Sequence, residues 1–329
     1  MTCNWFVPIL ALLLAGQVAG ADGVQITEHT VPWPDTRPRD PYVAPDGRVW
    51  FVGQTGNYLA VFDPRSEHFE RFALPQGTRP HTVVVGADGI AWVAGNGNGT
   101  LVRYDPATAE FATFALPEQP ELFRKDPHTL AFDDDGDLWF TLQQGNAIGH
   151  FDTETHAFRI LPLSRPNTLP YGIVAEASGR PWVALLGTHA LATVVDADRV
   201  ETIELPRESA RPRRIGVGTD GGIWFVDYAD GYLGRLDPST GQVREWRAPS
   251  GDSGPYAMGV DTAGRIWFFE TSVSPNRLVG FDPESGEYRW QVEVPSGGGS
   301  VRHMSYDRGR DGFWFGTDTN NLGFFPVPH

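Results

Sequence analysis

From Gly23 to His329 the chain shows no three-to-four-residue apolar spacing of the kind an amphipathic helix needs. Short runs of β-branched and aromatic residues alternate instead with clusters of Gly, Pro, Asp and Asn. The stretch from Pro212 to Pro249 shows the unit clearly. Pro212-Arg213-Arg214 opens it, and Ile223-Trp224-Phe225 follows the turn Asp220-Gly221-Gly222. Tyr232-Leu233-Gly234-Arg235-Leu236 comes next, then Asp237-Pro238-Ser239-Thr240-Gly241 and a last run closing at Pro249. Gly and Pro supply the positive or fixed φ that tight turns require. The pattern predicts a four-stranded antiparallel meander in roughly 40 residues, the period of a propeller blade.

Such a unit cannot bury its own faces and must stack on copies of itself. Its tryptophan recurs at Trp50, Trp92, Trp139, Trp182, Trp224, Trp267 and Trp314, at spacings of 42, 47, 43, 42, 43 and 47 residues. The aspartate after the third run recurs at Asp63, Asp105, Asp152, Asp196, Asp237 and Asp282. The seventh copy ends without a fourth run, whereas Gln25 to Pro34 resembles the fourth runs that end at Pro75, Pro117 and Pro206. The expected fold is therefore all-β, a seven-bladed β-propeller whose N-terminal strand completes the last blade and leaves no open edge.

Composition sharpens this picture. Gly 38 and Pro 27 in 329 residues suit a chain that turns every eight to twelve residues. The net charge of −15 excludes nucleic acid and anionic membrane surfaces as natural partners. Trp5 to Val18 is an apolar run too short to span a bilayer, followed by the small residues Ala19-Gly20-Ala21. Residues 1–21 are accordingly expected to be a signal peptide, and 22–329 a single propeller domain in a periplasmic or secreted protein. No membrane contact beyond export is expected, and the protein is expected to be a monomer. The one cysteine, Cys3, lies in that leader, so the mature chain has no thiol for nucleophilic or metal chemistry.

Function is expected where the copies disagree. The residue after the proline that opens each blade reads Tyr42, His81, His128, Tyr171, Arg213 and Tyr256, with Arg302 after Val301 in the last blade. A propeller's first strand lines the central channel, so these side chains should converge at one mouth. Four residues past each tryptophan stand Gln54, Asn96, Gln143, Leu186, Tyr228, Thr271 and Asp318, with Glu270 just before Thr271. These predict a second polar ring and a pocket for a small molecule or peptide. His81, His128 and His303 are the imidazoles placed for general-base or metal chemistry, with Asp126, Asp318 and Glu270 as neighbouring carboxylates. The other histidines, including His150, carry no such signal.

The repeat Pro-[His/Tyr/Arg]…Asp-x-Gly-x-x-Trp-Phe…Leu-Gly-Arg-Leu-Asp-Pro-x-Thr-Gly resembles that of the virginiamycin B lyase (streptogramin lyase) family over essentially the whole chain after the leader. The resemblance implies opening of a cyclic depsipeptide by elimination. In that chemistry a base takes the α-proton, Mg²⁺ stabilises the enolate and the ester oxygen departs. The family opens one blade with Pro-His and the next with Glu-Pro-His, and places a Glu four past the following Trp. Pro80-His81 and Asp126-Pro127-His128 match the first two elements, with Asp for Glu, and Gln143 stands where the last Glu would be. The resemblance thus assigns His128 as base, with His81 and Asp126 orienting it, and Asp126 and Gln143 as the positions for Mg²⁺. Two other readings stay open. One is a gluconolactonase-like lactonase that activates water at a metal; the other is a non-catalytic periplasmic propeller that binds a ligand or protein.

Overall fold

The computed structural model describes residues 24–120, 122–196 and 198–329. The expected signal peptide lies outside the described residues. Seven four-stranded antiparallel sheets form among them, and together they make a seven-bladed propeller. The innermost strands of blades 1–7 are Pro38–Val43, Pro80–Val85, Pro127–Phe132, Pro170–Ala175, Pro212–Val217, Pro255–Val260 and Met304–Asp307. Thr27–Thr30 pairs with Asn321–Pro326 as the outer strand of blade 7, in the register Thr27 to Phe324 and Thr30 to Asn321. The first strand therefore closes the ring, as its likeness to the fourth runs implied.

The core lies between blades rather than within them. Each tryptophan leaves its own blade to pack on the second strand of the next. Trp92 meets Leu138 and Phe140, Trp182 meets Ile223 and Phe225, and Trp267 meets Phe313 and Phe315. Trp314 of the last blade packs on Val49 and Phe51 of the first. The repeat exists because a flat four-stranded sheet has two apolar faces and only a neighbouring blade can cover each.

The second feature that matters is a bulge. In blades 1–6 the first strand shifts register just after its opening proline: Pro80 faces Gly95, but Val83 faces Val93. One extra residue on the inner strand bends it and re-aims side chains. Blades 1, 2, 3 and 5 thereby present two adjacent side chains after the proline to the tunnel. In blade 1 the second of these, Asp40, takes a left-handed φ of 49°, tolerated by Asp better than by most residues.

The register corrects one expectation. Blade 1 opens at Pro38, which faces Gly53 just as Pro80 faces Gly95. Arg39 therefore holds the tunnel position and Tyr42 does not; Tyr42 faces Trp50 and packs in the interblade core.

Replacing Trp314 by alanine removes the contact that joins the last blade to the first. The expected cost is about 3–5 kcal/mol, read as a lower urea midpoint. A loss no larger than that of a surface substitution would contradict the closure role assigned to this indole.

Candidate active site at the tunnel mouth

The bulge residues build a compact buried cluster on the propeller axis. Asp40 is its centre and is fully buried. Arg39 Nε donates to its Oδ1 at 2.9 Å, and Arg214 Nη2, from the opposite side of the ring, donates to its Oδ2 at 3.1 Å. Thr82 Oγ1 stands 2.8 Å from the same Oδ2 and from the His128 carbonyl oxygen. Arg214 also donates through Nε to the Arg302 carbonyl at 3.0 Å and through Nη1 to Thr129 Oγ1 at 3.3 Å. One guanidinium of blade 5 thus ties together blades 1, 3 and 7.

Burial alone would raise the Asp40 pKa, but Arg39 and Arg214 outweigh it and hold the carboxyl well below its ordinary range. The carboxylate is charged and committed to its partners.

Beside this knot the two imidazoles lie against each other at a tilt of 36°. The His81 and His128 ring centroids are 3.5 Å apart, and His128 lies 4.2 Å from the Tyr171 ring. Nδ1 of each ring is fixed by the next residue in the bulge: Thr82 Oγ1 at 3.2 Å from His81 and Thr129 Oγ1 at 2.9 Å from His128. Nε2 of each makes no hydrogen bond among the described residues. Burial first, then the neighbouring guanidiniums, push both pKa values well below 6.5, so both rings are neutral. The same causes push His303 down to about 3.

Aromatic and cationic groups complete the wall. The hydroxyls of Tyr171 and Tyr256 are hydrogen-bonded to each other. The Arg213 guanidinium sits over three tyrosine rings, at 3.7 Å from Tyr256, 4.2 Å from Tyr228 and 5.0 Å from Tyr171. Arg39 Nη2, Arg213 Nε and His303 Nδ1 are buried without a hydrogen-bond partner. For a protein of net charge −15, this is an unusually cationic spot.

The residues singled out from the sequence divide into two groups. His81, His128, Tyr171, Arg213, Tyr228 and Tyr256 are in mutual contact, and Gln54 reaches the cluster by accepting from Arg39 Nη1 at 3.1 Å. Arg302 lies at the rim in a bidentate pair with Asp318. Asn96 Nδ2 donates to the Pro127 carbonyl at 3.2 Å, beside His128. Gln143 follows the strand Leu138–Leu142 and is partly exposed.

The acids behave differently. Asp126 accepts the Gln144 and Gly145 N–H groups at 2.8 and 2.9 Å, so both its oxygens hold the turn after that strand. Glu270 does the same for Ser250, through its N–H at 2.9 Å and its hydroxyl at 2.6 Å. Arg39, Asp40, Thr82, Thr129 and Arg214 escaped the sequence reading. One signal could have found the first two: Pro38 precedes Trp50 by twelve residues, as Pro80 precedes Trp92, whereas Pro41 does not.

The sequence profile of the virginiamycin B lyase family matches residues 24–322, nearly the whole described chain. The chain belongs to the virginiamycin B lyase family. A virginiamycin B lyase of Nocardia farcinica is 31% identical over 141 residues, 41% of this chain and 47% of that protein, so the alignment spans about half of the relative. Two solved structures share the fold at a TM-score of 0.84. One, a streptogramin B lyase, is 20% identical and covers 93% of this chain and 99% of its own. The other, virginiamycin B lyase from Staphylococcus aureus, is 19% identical over 92% and 99%. Hydrazine synthase of Kuenenia stuttgartiensis, at a TM-score of 0.74 and 14% identity, shows the same fold.

Two measurements test the electrostatics. His81 and His128 take up protons below pH 6.5 only when the chain unfolds, because their folded pKa values are depressed. Their contribution to stability is full above that pH and is lost as the pH falls, by up to about 1.4 kcal/mol per unit for each ring. Urea midpoints from pH 7.5 to 5 should fall accordingly, and less steeply in His81→Gln; a flat profile would refute buried neutral rings. Asp40→Asn should cost about 3–5 kcal/mol, since it leaves two buried guanidiniums uncompensated.

Proposed function

We propose that this member of the family is a carbon–oxygen lyase that opens an ester by elimination at the tunnel mouth, with His128 as the base. One observation carries the proposal: two neutral imidazoles in contact, with ring centroids 3.5 Å apart, each with Nδ1 anchored and Nε2 uncommitted. With Nδ1 protonated and donating to Thr129 Oγ1, the neutral His128 ring carries its lone pair on Nε2 and accepts a proton there. The substrate would rest on the partly exposed Arg213, Tyr228 and Arg302, with its α-carbon above His128. His128 Nε2 takes the α-proton, the electron pair forms the new carbon–carbon double bond, and the β-carbon–oxygen bond breaks to release a carboxylate. The opened product has the mass of the substrate.

The residues present do not fit Mg²⁺. The charged neighbours of the imidazoles are Arg39, Arg213 and Arg214, and the Asp40 oxygens are already bonded to Arg39, Arg214 and Thr82. Both Asp126 oxygens accept backbone N–H groups, and Gln143 offers only a neutral amide, a weak ligand for that ion. The proposal therefore assigns stabilisation of the developing enolate to guanidinium groups, with Arg39 Nη2 and Arg213 Nε carrying uncommitted donors. The dense filling of the tunnel supports a second reading, a propeller that binds a ligand at its rim without turning it over: His81, His128, Tyr171 and Tyr256 are each at most 4% exposed.

Cyclic depsipeptides and simple lactones, incubated with the protein and followed by mass spectrometry, separate the readings. Elimination gives a ring-opened product of unchanged mass, insensitive to EDTA and lost in His128→Ala. A product heavier by one water means hydrolysis. Binding without any product moves the assignment to the rim-binding propeller, and turnover that survives in His128→Ala overturns the choice of base.

A further inference from the structure

The turn between the first two strands of each blade carries an acid, and in most blades an arginine neutralises it. Arg48, Arg180 and Arg265, two residues before the tryptophan, pair with Asp46, Glu176 and Asp261 at 2.6–2.8 Å. In blade 5 the cation comes instead from the third strand: Arg235, facing Trp224, pairs with Asp220 at 2.6 Å. Blade 3 breaks the rule at both positions. Asp137 stands two residues before Trp139, where the arginine would be, and His150 faces Trp139, where blade 5 has Arg235. Two carboxylates and an imidazole meet where blades 1, 4, 5 and 6 place one carboxylate and a guanidinium.

Their geometry is that of a cation site. His150 Nε2 lies 3.4 Å from Asp133 Oδ2 and 3.8 Å from Asp137 Oδ2, and one ligand atom from each of the three residues falls within 4.8 Å of the others. Bonds of about 2.0–2.1 Å to a tetrahedral Zn²⁺ put neighbouring ligand atoms about 3.3–3.4 Å apart. The remaining oxygens aim the set. Asp133 Oδ1 accepts the Asp137 N–H at 2.9 Å, and Asp137 Oδ1 accepts the Thr153 N–H at 2.8 Å, which leaves both Oδ2 atoms directed at His150.

The indole of Trp139 supplies independent support. In blades 4, 6 and 7 the corresponding Nε1 donates to the turn acid, at 2.9 Å in Trp267 and 3.1 Å in Trp314. Trp139 is 5% exposed, its ring centroid is 4.6 Å from that of His150, and its Nε1 has no partner. Asp133, which would accept that N–H by analogy, turns its Oδ2 to the imidazole instead. A water on a metal held by these three residues would supply the missing acceptor. Arg159, the nearest arginine across the strand, lies over the Trp139 ring at 5.2 Å.

We propose that Asp133, Asp137 and His150 bind a divalent transition-metal cation of the zinc type, one per chain, at the end of blade 3 away from the tunnel mouth. Two carboxylates and one imidazole form a mixed oxygen–nitrogen set suited to Zn²⁺, Mn²⁺ or Co²⁺ rather than to Ca²⁺. Three protein ligands leave a fourth position for water. The ion takes the part that arginine plays in the sibling blades and clasps the first hairpin to the third strand. This site is independent of the lyase assignment, since it shares no residue with the tunnel cluster.

The test uses tag-free, metal-stripped full-length protein. Titration with Zn²⁺ should show one bound equivalent and a raised thermal midpoint, and Co²⁺ should give the visible spectrum of a four-coordinate nitrogen–oxygen site. Asp137→Arg and His150→Arg, which restore the sibling patterns, should weaken binding by about 10–100-fold or more. Both should fold, and they should keep metal-free midpoints at or above that of the parent. Absence of stoichiometric binding by the parent overturns the proposal. So does unchanged binding in both variants, which would place the ion at another histidine.

Discussion

Everything in this molecule depends on a sheet having two apolar faces and no way to cover them alone. Each blade lends its tryptophan to the next, and the series ends only when Trp314 reaches Val49 and Phe51 of blade 1. Closure is therefore a packing requirement before it is a hydrogen-bonding one. The four-residue strand Thr27–Thr30 adds the backbone pairing that finishes the edge. With the perimeter fixed in this way, the inner strands have little freedom, and their side chains meet on the axis.

What they form there is a knot of buried charge. Asp40 and Arg214 come from opposite sides of the ring, and neither would be tolerable without the other. Burial first, and then the surplus of guanidinium that their pairing leaves at the axis, keeps the imidazoles neutral, and that surplus opposes a bound cation near them. The candidate site and the cohesion of the ring thus rest on the same side chains.

The architecture was legible because its signals repeat. Seven tryptophans at near-constant spacing and the orphan first strand named the fold, the blade count and the closure. Much of the tunnel was legible too, since His81, His128, Tyr171, Arg213 and Tyr256 each follow a proline that has one obvious role. Blade 1 was misread because Pro38-Arg39-Asp40-Pro41-Tyr42 offers two prolines, and only the distance to Trp50 chooses between them. Asp126 and Glu270 illustrate another limit. A carboxylate at the tunnel end of a blade reads as chemistry, yet here it serves backbone N–H groups and, at Glu270, a serine hydroxyl. His150 was passed over because its meaning comes from the arginine that blade 5 has in its place, a comparison that needs the strand register.

The bulge after each opening proline has a consequence for how such a ring changes over time. A regular strand would point alternate residues at the axis and bury the next one between blades, so that every innovation at the centre would be flanked by a position that must stay apolar. With the bulge, blades 1, 2, 3 and 5 each offer two consecutive letters that lie outside the interblade core clusters. Pairs as different as Arg39-Asp40, His81-Thr82, His128-Thr129 and Arg213-Arg214 follow the opening proline at the same bulge. The propeller in effect separates the text it can rewrite from the binding that holds its pages together.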